Sequence, residues 1–511
     1  MISSEMRRSC PKMKMDWNSR RKAVHAIVFA ALVAALLPGC GGTGGPKPSA
    51  IAKGSSASQV PPISVMMIQF AAEPMKKDSP VIKQLETLTN TKLDITWVPA
   101  TTYDDKVSAT IASGNLPELM LLRRNKESAM LNAQLSGMFW DLSPYLKNYK
   151  NLSQLSPVAV TNASLNGKLY GIPRERPIAR YGLIFRKDWL DHLGLPVPRT
   201  VDDIYKTAKA FTLSDPDQDG KNDTFGMQEE KSIESLKQIA LFLGAPNAWG
   251  LKDGRITPDF LYPEFKSALD LLRQMTDEHL INADFAIAKK YSYFNQEKAG
   301  MYFSVIGDAI THPDLLKANP NAVIDVTQTF DGPQGERVRA TTGYDSLLVI
   351  PKSSVKNEAR LKQILTFLDQ MAEQPVQDLI DWGMEGTDYT MAGGKPKKIP
   401  NTPGAGDLNM FRWDLFGTSM KGTRTPLEDK FDQLYAQNKS LSVMDLSASL
   451  LSDTNTEKGN ELKTAISDAE TKYIMGELND QGWHAAVDKW RKDGGDKIID
   501  EFTASYNQSK K

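Results

Sequence analysis

The sequence predicts an α/β protein, and three observations lead to this class. Apolar runs of strand length alternate with amphipathic helical segments from residue 63 onward, as in sheets covered by helices. The chain has 511 residues, more than one hydrophobic core usually serves, so two domains are expected. Its two cysteines, Cys10 and Cys40, both lie near the N-terminus. The body must therefore be stabilised by large cores rather than by disulfides.

Five consecutive segments predict the first α/β unit. The expected order is a strand at 63–70, a helix at 80–89, a strand at 93–98, a helix at 103–113 and a strand at 116–122. Gly114 follows the second helix and is a typical C-cap residue. Strands that alternate with helices in this way predict a parallel sheet with right-handed crossovers.

A second series of strands and helices follows, so the second domain is also predicted to be α/β. Thr200 is expected to cap one of its helices. The predicted strands are 167–173, 181–186 and 347–350, and the predicted helices are 188–193, 201–211, 263–277, 357–373, 456–475 and 480–492.

Residues 1–39 have the parts of an export signal. Seven basic and two acidic residues precede an apolar run at 23–37, which is shorter than the roughly 20 residues of a membrane span. The run ends in LPGC at residues 37–40, which resembles the bacterial lipobox, where the cysteine is acylated after cleavage. An ordinary cleaved signal beside a chance cysteine is the alternative. We predict cleavage before Cys40 and a lipid anchor on its sulfur.

Residues 40–62 are rich in Gly, Ser, Pro and Ala, and this composition predicts a flexible tether. Removal of the signal leaves roughly 470 residues with a small excess of acidic side chains. No basic stripe indicates nucleic-acid binding, so nucleic acid is not expected as a partner. No other segment of the sequence has the length and hydropathy of a membrane span.

An acidic loop at residues 215–223, DPDQDGKND, has the spacing of the first part of an EF-hand calcium loop. Gly220 allows the sharp turn at position 6, whereas position 12 is Gly226 instead of the usual glutamate. A structural calcium site and a solvated acidic turn are both compatible with this pattern. The predicted oxygen donors are Asp215, Asp217, Asp219, Lys221 through its backbone carbonyl, and Asp223.

Several short segments, taken in order, resemble the family 1 extracellular solute-binding proteins of bacterial ABC importers. The similarity is to the branch that takes up sugars and oligosaccharides, including LipO-like lipoproteins, and it extends over nearly all of residues 63–500. The segments are 167–173, 186–194, 197–200, 209–212, 215–226, 244–247, 298–301, 382–386 and 483–490.

This resemblance implies a periplasmic-binding-protein-like fold, with two α/β lobes joined by a hinge and a ligand cleft between them. It also implies that the loop at 215–223 binds calcium. The expected partners are a saccharide, by preference an oligosaccharide, and the permease subunits of an ABC transporter. The protein is expected to be a monomer anchored by lipid at the extracellular face of the cytoplasmic membrane. The expected division is 63–175 and 330–385 for lobe one, with 176–329 and 386–511 for lobe two.

Sugar sites combine aromatic surfaces with fixed polar groups, which suggests candidates for the cleft. Charged residues cluster in the segment expected to cross between the lobes, and several tryptophans lie near predicted strand ends. The predicted ligand-binding residues are Arg174, Glu175, Arg180, Trp249, Trp382 and Trp413.

Two other functions are compatible with the sequence. A carbohydrate-active hydrolase would need a pair of carboxylates, but no motif singles out such a pair, and HExxH and GxSxG are absent. The same fold could instead present a ligand to a sensor kinase. We expect no enzymatic activity.

Overall fold

The computed structural model describes residues 61–412 and 419–510 of the chain. The predicted signal peptide, Cys40, most of the tether at 40–62 and Trp413 therefore lie outside the described residues. Within the described ranges, no helix is both long and apolar enough to cross a membrane.

The strands occur along the whole described chain. In order they are β1 (Ile63–Gln69), β2 (Leu93–Pro99), β3 (Leu119–Leu122), β4 (Gly171–Glu175), β5 (Tyr181–Arg186), β6 (Phe225–Met227), β7 (Trp249–Lys252), β8 (Arg255–Pro258), β9 (Ala299–Val305), β10 (Ile324–Thr327), β11 (Val338–Arg339), β12 (Tyr344–Val349), β13 (Tyr389–Ala392), β14 (Lys395–Lys398) and β15 (Ser442–Val443).

The α-helices alternate with these strands and then dominate the C-terminal part. They are α1 (Pro80–Leu88), α2 (Tyr103–Ser113), α3 (Ser128–Leu135), α4 (Pro157–Ala163), α5 (Lys187–His192), α6 (Val201–Leu213), α7 (Glu234–Leu243), α8 (Pro263–Asp277), α9 (Ser292–Asn295), α10 (Pro313–Ala318), α11 (Glu358–Gln370), α12 (Gln374–Trp382), α13 (Pro426–Gln437), α14 (Asp453–Ile474), α15 (Asp480–Trp490) and α16 (Asp496–Ser509).

The first sheet has five strands in the order β2-β1-β3-β12-β4. Strand β1 pairs in parallel with β2 and β3, which confirms the parallel arrangement predicted for these three strands. Strand β12 is antiparallel to both neighbours, so the sheet is mixed rather than parallel throughout. The reason is that β12 returns to this sheet after the chain has built the second one, not through a short crossover helix.

The second sheet has four strands in the order β10-β5-β9-β6. Strand β5 is antiparallel to β9 and β10, and β6 is parallel to β9. Each sheet has its own hydrophobic core, and helices cover both. The structure is therefore α/β in both halves, as the sequence predicts.

Local signals account for several element boundaries. The Thr200 hydroxyl accepts a hydrogen bond from the Asp203 amide at 3.0 Å, and the Asp203 carboxylate accepts one from the Thr200 amide at 3.0 Å. This capping box fixes the start of α6. Gly114 ends α2 with φ at 72°, a conformation that costs glycine little.

The packing bears on where the lobes divide along the chain, which stays a prediction. Phe330 packs in the core of the second sheet, although residues 330–385 are expected in lobe one. Leu408 and Phe411 pack in the core of the first sheet, although residues 386–511 are expected in lobe two. The buried apolar residues therefore favour boundaries between the lobes that lie later in the chain than residues 330 and 386. Each of these segments packs against the sheet whose last strand precedes it.

Candidate functional site

A cavity of about 400 Å³ lies between α3 and the helices on the side of the second sheet. Lys126, Glu127 and Ser128 form one side, which we call the α3 wall. The opposite side, the α14 wall, includes the β7–β8 hairpin and residues of α14. The Ser128 hydroxyl donates a hydrogen bond to the Thr456 carbonyl, so the two walls touch at one edge of the cavity.

Aromatic rings form part of the α14 wall. The half-buried Trp249 ring packs edge-to-face on Phe502, with centroids 4.9 Å apart, and lies 6.4 Å from the Trp490 ring. Phe260 packs edge-to-face on Trp490 at 4.8 Å. Trp249, Phe260 and Trp490 all line the cavity. Packed rings beside a cavity offer flat apolar surfaces on which a sugar ring can stack.

Three carboxyl groups on the α14 wall are shielded from bulk water. Burial raises the pKa of Asp259 to about 7, that of Asp445 to about 6 and that of Glu470 to about 8. All three line the cavity. Near neutral pH each exists partly as a carboxylic acid and partly as a carboxylate, so it can donate or accept a hydrogen bond. Such groups can bind the hydroxyls of a sugar.

Arg339 lies at the base of the same wall and is held by several contacts. Its guanidinium forms an ion pair with Glu234 and donates a hydrogen bond to the Asn247 side-chain oxygen at 3.2 Å. The Asn247 amide in turn donates to the carbonyls of Ala340 and Val443 at 2.9 Å. This network connects the segment of Asn247 with those of Ala340 and Val443, and Asp445 of the cavity lies two residues after Val443.

Arg174 and Glu175 lie on β4 and make internal contacts. Arg174 forms an ion pair with Asp345 at 2.8 Å and donates to the Asn409 carbonyl at 3.2 Å. Glu175 is almost fully buried and accepts a hydrogen bond from the Ser156 amide at the start of α4. Burial raises the pKa of Glu175 to about 7. The structure does not bring either residue into the lining of the α3–α14 cavity.

Arg180 and Trp382 also lie away from that cavity. The Arg180 carbonyl accepts a hydrogen bond from the Ile306 amide at 2.8 Å, and the Arg180 side chain hydrogen-bonds to Tyr435. The Trp382 indole donates to the Met420 carbonyl at 3.1 Å and lines a second cavity of about 470 Å³ with Arg412. Of the predicted aromatic and charged ligand residues within the described ranges, Trp249 alone lines the α3–α14 cavity.

The acidic loop connects α6 to β6 and brings three of its carboxylates together. Oxygens of Asp215, Asp217 and Asp219 lie within 4.8 Å of one another. The Asp215 carboxylate accepts the amides of Asp219 at 3.2 Å and Gly220 at 3.1 Å, which closes the turn. Asp223 lies apart from this group and forms an ion pair with Lys298 at 2.6 Å.

The chemistry of this loop fits a hard cation. One Asp217 oxygen is buried and has no hydrogen-bond partner among the described residues. Burial, the Asp219 charge and the Asp215 side chain all raise the pKa of Asp217, so the carboxylates repel one another. A cation with oxygen ligands would relieve this repulsion and bind the unpartnered oxygen.

Several residues of the cavity were not identified from the sequence. They are Lys126, Asp259, Asp445, Glu470 and Trp490. A local signal existed for Lys126 alone, because a charged run directly follows the buried strand β3. The others lie far apart along the chain, on segments whose packing brings them together.

Comparison with known proteins identifies the family. A family model described as bacterial extracellular solute-binding protein matches residues 72–378. The chain belongs to this family. Two lobe-like sheets with a cavity beside them agree with that assignment, and the fold is periplasmic-binding-protein-like.

Two named relatives of this solute-binding protein come from Bacillus subtilis (strain 168). The polygalacturonan/rhamnogalacturonan-binding protein YtcQ is 36% identical over 499 residues, covering 95% of this chain and 98% of YtcQ. Lipoprotein LipO is 34% identical over 466 residues, covering 88% of this chain and 93% of LipO.

A solved structure shows the same fold. It is the S. pneumoniae ABC-transporter substrate-binding protein FusA, as an EF-hand mutant in complex with fructo-nystose. The match has a TM-score of 0.64 and 18% sequence identity, and it covers 88% of this chain and 99% of that one.

Proposed function

We propose that this solute-binding protein is the lipid-anchored extracellular subunit that delivers a saccharide, by preference an oligosaccharide, to an ABC transporter permease. The observation that carries the proposal is the α3–α14 cavity, where Trp249, Phe260 and Trp490 stand beside carboxyl groups able to bind hydroxyls. The names of the relatives support it, since YtcQ is described as binding polygalacturonan and rhamnogalacturonan.

The binding step follows from the arrangement of the two walls. A saccharide between them would stack on the α14 wall and hydrogen-bond to its carboxyl groups, while also touching the α3 wall. A ligand that contacts both walls binds the closed arrangement more strongly and shifts the population toward it. Lobe closure would also depend on Arg174, Glu175 and Arg180, which would hold β4 and β5 where the chain passes from the first sheet to the second. Trp382 would contribute through the second cavity.

We also propose that the loop at 215–223 holds a structural calcium ion. The residues that would hold it are Asp215, Asp217 and Asp219, with the Lys221 carbonyl and, after release from Lys298, Asp223. The ion would fix the link between α6 and β6. Support comes from the unpartnered Asp217 oxygen and from the description of the FusA variant as an EF-hand mutant.

Anchoring through Cys40 is part of the proposal. The LPGC sequence at 37–40 and the name of the relative lipoprotein LipO support it. Anchored in this way, the protein would stay at the extracellular face of the membrane, near its permease. We propose that it acts there as a monomer.

A hydrolase is the second candidate, and one observation favours it. Asp259 and Glu470 line the same cavity and have pKa values raised to about 7 and 8, as a general acid requires. YtcQ is described as a binding protein and LipO as a lipoprotein, which favours binding without catalysis. Chromatography of the saccharide after incubation separates the two functions.

The test is a thermal-melting screen of the purified protein against a panel of neutral and acidic oligosaccharides. A true ligand raises the melting temperature in a concentration-dependent way, because it binds the folded state. Small-angle scattering with that ligand should show a smaller radius of gyration. A panel in which no saccharide shifts the melting curve would contradict the proposed function.

A further inference from the structure

The α3 wall carries a buried ammonium group that has no hydrogen-bond partner among the described residues. This group belongs to Lys126, which lines the cavity. Burial lowers the pKa of Lys126 to about 8, with no neighbouring charge contributing. Leaving a buried ammonium unpaired is costly, so its retention at the edge of a cavity suggests a partner that arrives from solution.

The start of α3 adds to this positive potential. Ser128 is the first residue of this eight-residue helix and lines the cavity. The N-cap residue Glu127 makes no capping hydrogen bond through its side chain. The first amides of a helix have no partner inside the helix, and they carry the positive end of its dipole. Lys126 and this helix start therefore present donors and positive charge to the same space.

The other charged groups of the cavity do not neutralise Lys126. Glu127 is engaged with Arg124 at 3.3 Å. The acidic groups of the opposite wall are Asp259, Asp445 and Glu470, and they stand with the basic groups Lys237, Arg339 and Lys463. The pKa of Asp259 reflects Arg339 and Lys237, and that of Glu470 reflects Lys237 and Lys463, but neither reflects Lys126. The cavity thus presents an unpartnered positive charge on the α3 wall, and carboxyl groups beside aromatic rings on the α14 wall.

We propose that the ligand is an acidic saccharide, a uronate-containing oligomer, whose carboxylate binds to the Lys126 ammonium and the first amides of α3. This inference rests on the proposed function and names the substrate class of the same cavity. The sugar ring that carries the carboxylate would lie between the walls, with its apolar face toward Trp249. Its hydroxyls would bind the carboxyl groups of the α14 wall.

The test uses α-1,4-linked trigalacturonate and the same trimer fully methyl-esterified, which removes the charge and keeps the sugar frame. Affinities are measured by titration calorimetry for the parent protein, Lys126→Met and Lys126→Arg. Lys106→Met is the matched control, because Lys106 is an exposed lysine of α2 that does not line the cavity. Thermal melting confirms that each variant is folded.

The parent protein should bind the acid roughly tenfold to a hundredfold more tightly than the ester, the value expected for one charge-assisted contact. Lys126→Met should remove this preference, Lys126→Arg should retain most of it, and Lys106→Met should leave it in place. Equal affinity for acid and ester in the parent protein would overturn the inference without any variant. So would a preference that Lys126→Met leaves unchanged.

Neutral oligosaccharides tested in parallel separate this inference from the proposed function. If neutral saccharides bind and trigalacturonate does not, the uronate assignment fails and the binding function stands. If no saccharide of either class binds, both fail.

Discussion

The acidic loop at 215–223 and the α3–α14 cavity both gather charged groups, but they are built in opposite ways. In the loop, like charges are close together, and backbone amides of the same turn hold the Asp215 carboxylate. In the cavity, a lone ammonium on one wall faces carboxyl groups and aromatic rings on the other. The loop is complete within nine residues, whereas the cavity is drawn from segments more than 300 residues apart.

This difference has a functional consequence. A cation in the loop would stabilise one connection, and it would not require the walls of the cavity to move. A ligand in the cavity would connect two walls that belong to different cores, so its binding would depend on their arrangement. The loop is therefore suited to a structural cation, and the cavity is suited to reversible binding of a ligand.

The largest expected effect is on the cavity. Trp249→Ala should weaken saccharide binding by roughly 2–4 kcal/mol, because it removes a ring that lines the cavity and packs on Phe502. Titration calorimetry measures the loss, and Trp249→Phe, which keeps an aromatic surface, should recover part of it. Unchanged affinity in a folded Trp249→Ala protein would show that the ligand binds elsewhere.

Calcium should act on stability through the loop alone. At a concentration 100 times its Kd, calcium should raise the free energy of unfolding by about 2.7 kcal/mol, and Asp217→Ala should abolish this gain. Asp202→Ala is the control, because Asp202 is a surface partner of Lys206 on the adjacent helix α6. Thermal melting with calcium or chelator gives the answer. If chelator leaves the melting curve of the parent protein unchanged, the loop is only an acidic turn.

Removing the buried charge of the α3 wall should stabilise the protein without ligand. Lys126→Met should raise the free energy of unfolding at pH 7 by roughly 1–3 kcal/mol, since a lysine whose pKa is lowered penalises folding while it is charged. The penalty is complete below the folded pKa of about 8 and disappears as the pH rises to the ordinary lysine pKa of 10.5. The gain should therefore shrink over this interval in denaturant titrations, and a gain independent of pH would contradict it.

The smallest expected effect concerns the second cavity. Trp382→Ala should weaken saccharide binding by less than about 1 kcal/mol, since its ring contacts Gly422 and Tyr389 rather than the α3–α14 cavity. Competition binding against the parent protein measures the difference. A loss as large as that of Trp249→Ala would place the ligand, or a part of it, in the second cavity.

Much of the fold could be predicted from the sequence because its signals are local. Strand β5 and helices α2 and α8 begin and end where the sequence predicts, since hydrophobic period and caps fix them. The antiparallel placement of β12 was not predicted, because it depends on where the chain returns after building the second sheet.

The candidate sites also differ in this respect, because some depend on neighbouring residues and others on contacts between residues far apart in the chain. The acidic loop was predicted because its ligands are spaced for one turn, and the structure brings Asp215, Asp217 and Asp219 together. The sequence predicts Arg174 and Glu175 as ligand-binding residues because they lie in the segment expected to cross between the lobes. In the structure they are buried, and they contact Asp345 and Ser156. The sequence shows that both residues are charged, but it does not show which residues they contact in the folded protein.

The most direct test of the binding function is to follow both binding and the fate of the ligand in one experiment. Purified protein is incubated with an excess of trigalacturonate, the bound fraction is isolated by gel filtration, and the saccharide is recovered by denaturation and analysed by chromatography. A binding protein without catalytic activity should show saturable binding near one ligand per chain and release the intact trimer. Shorter products that vanish with Asp259→Asn or Glu470→Gln would contradict it and identify a hydrolase.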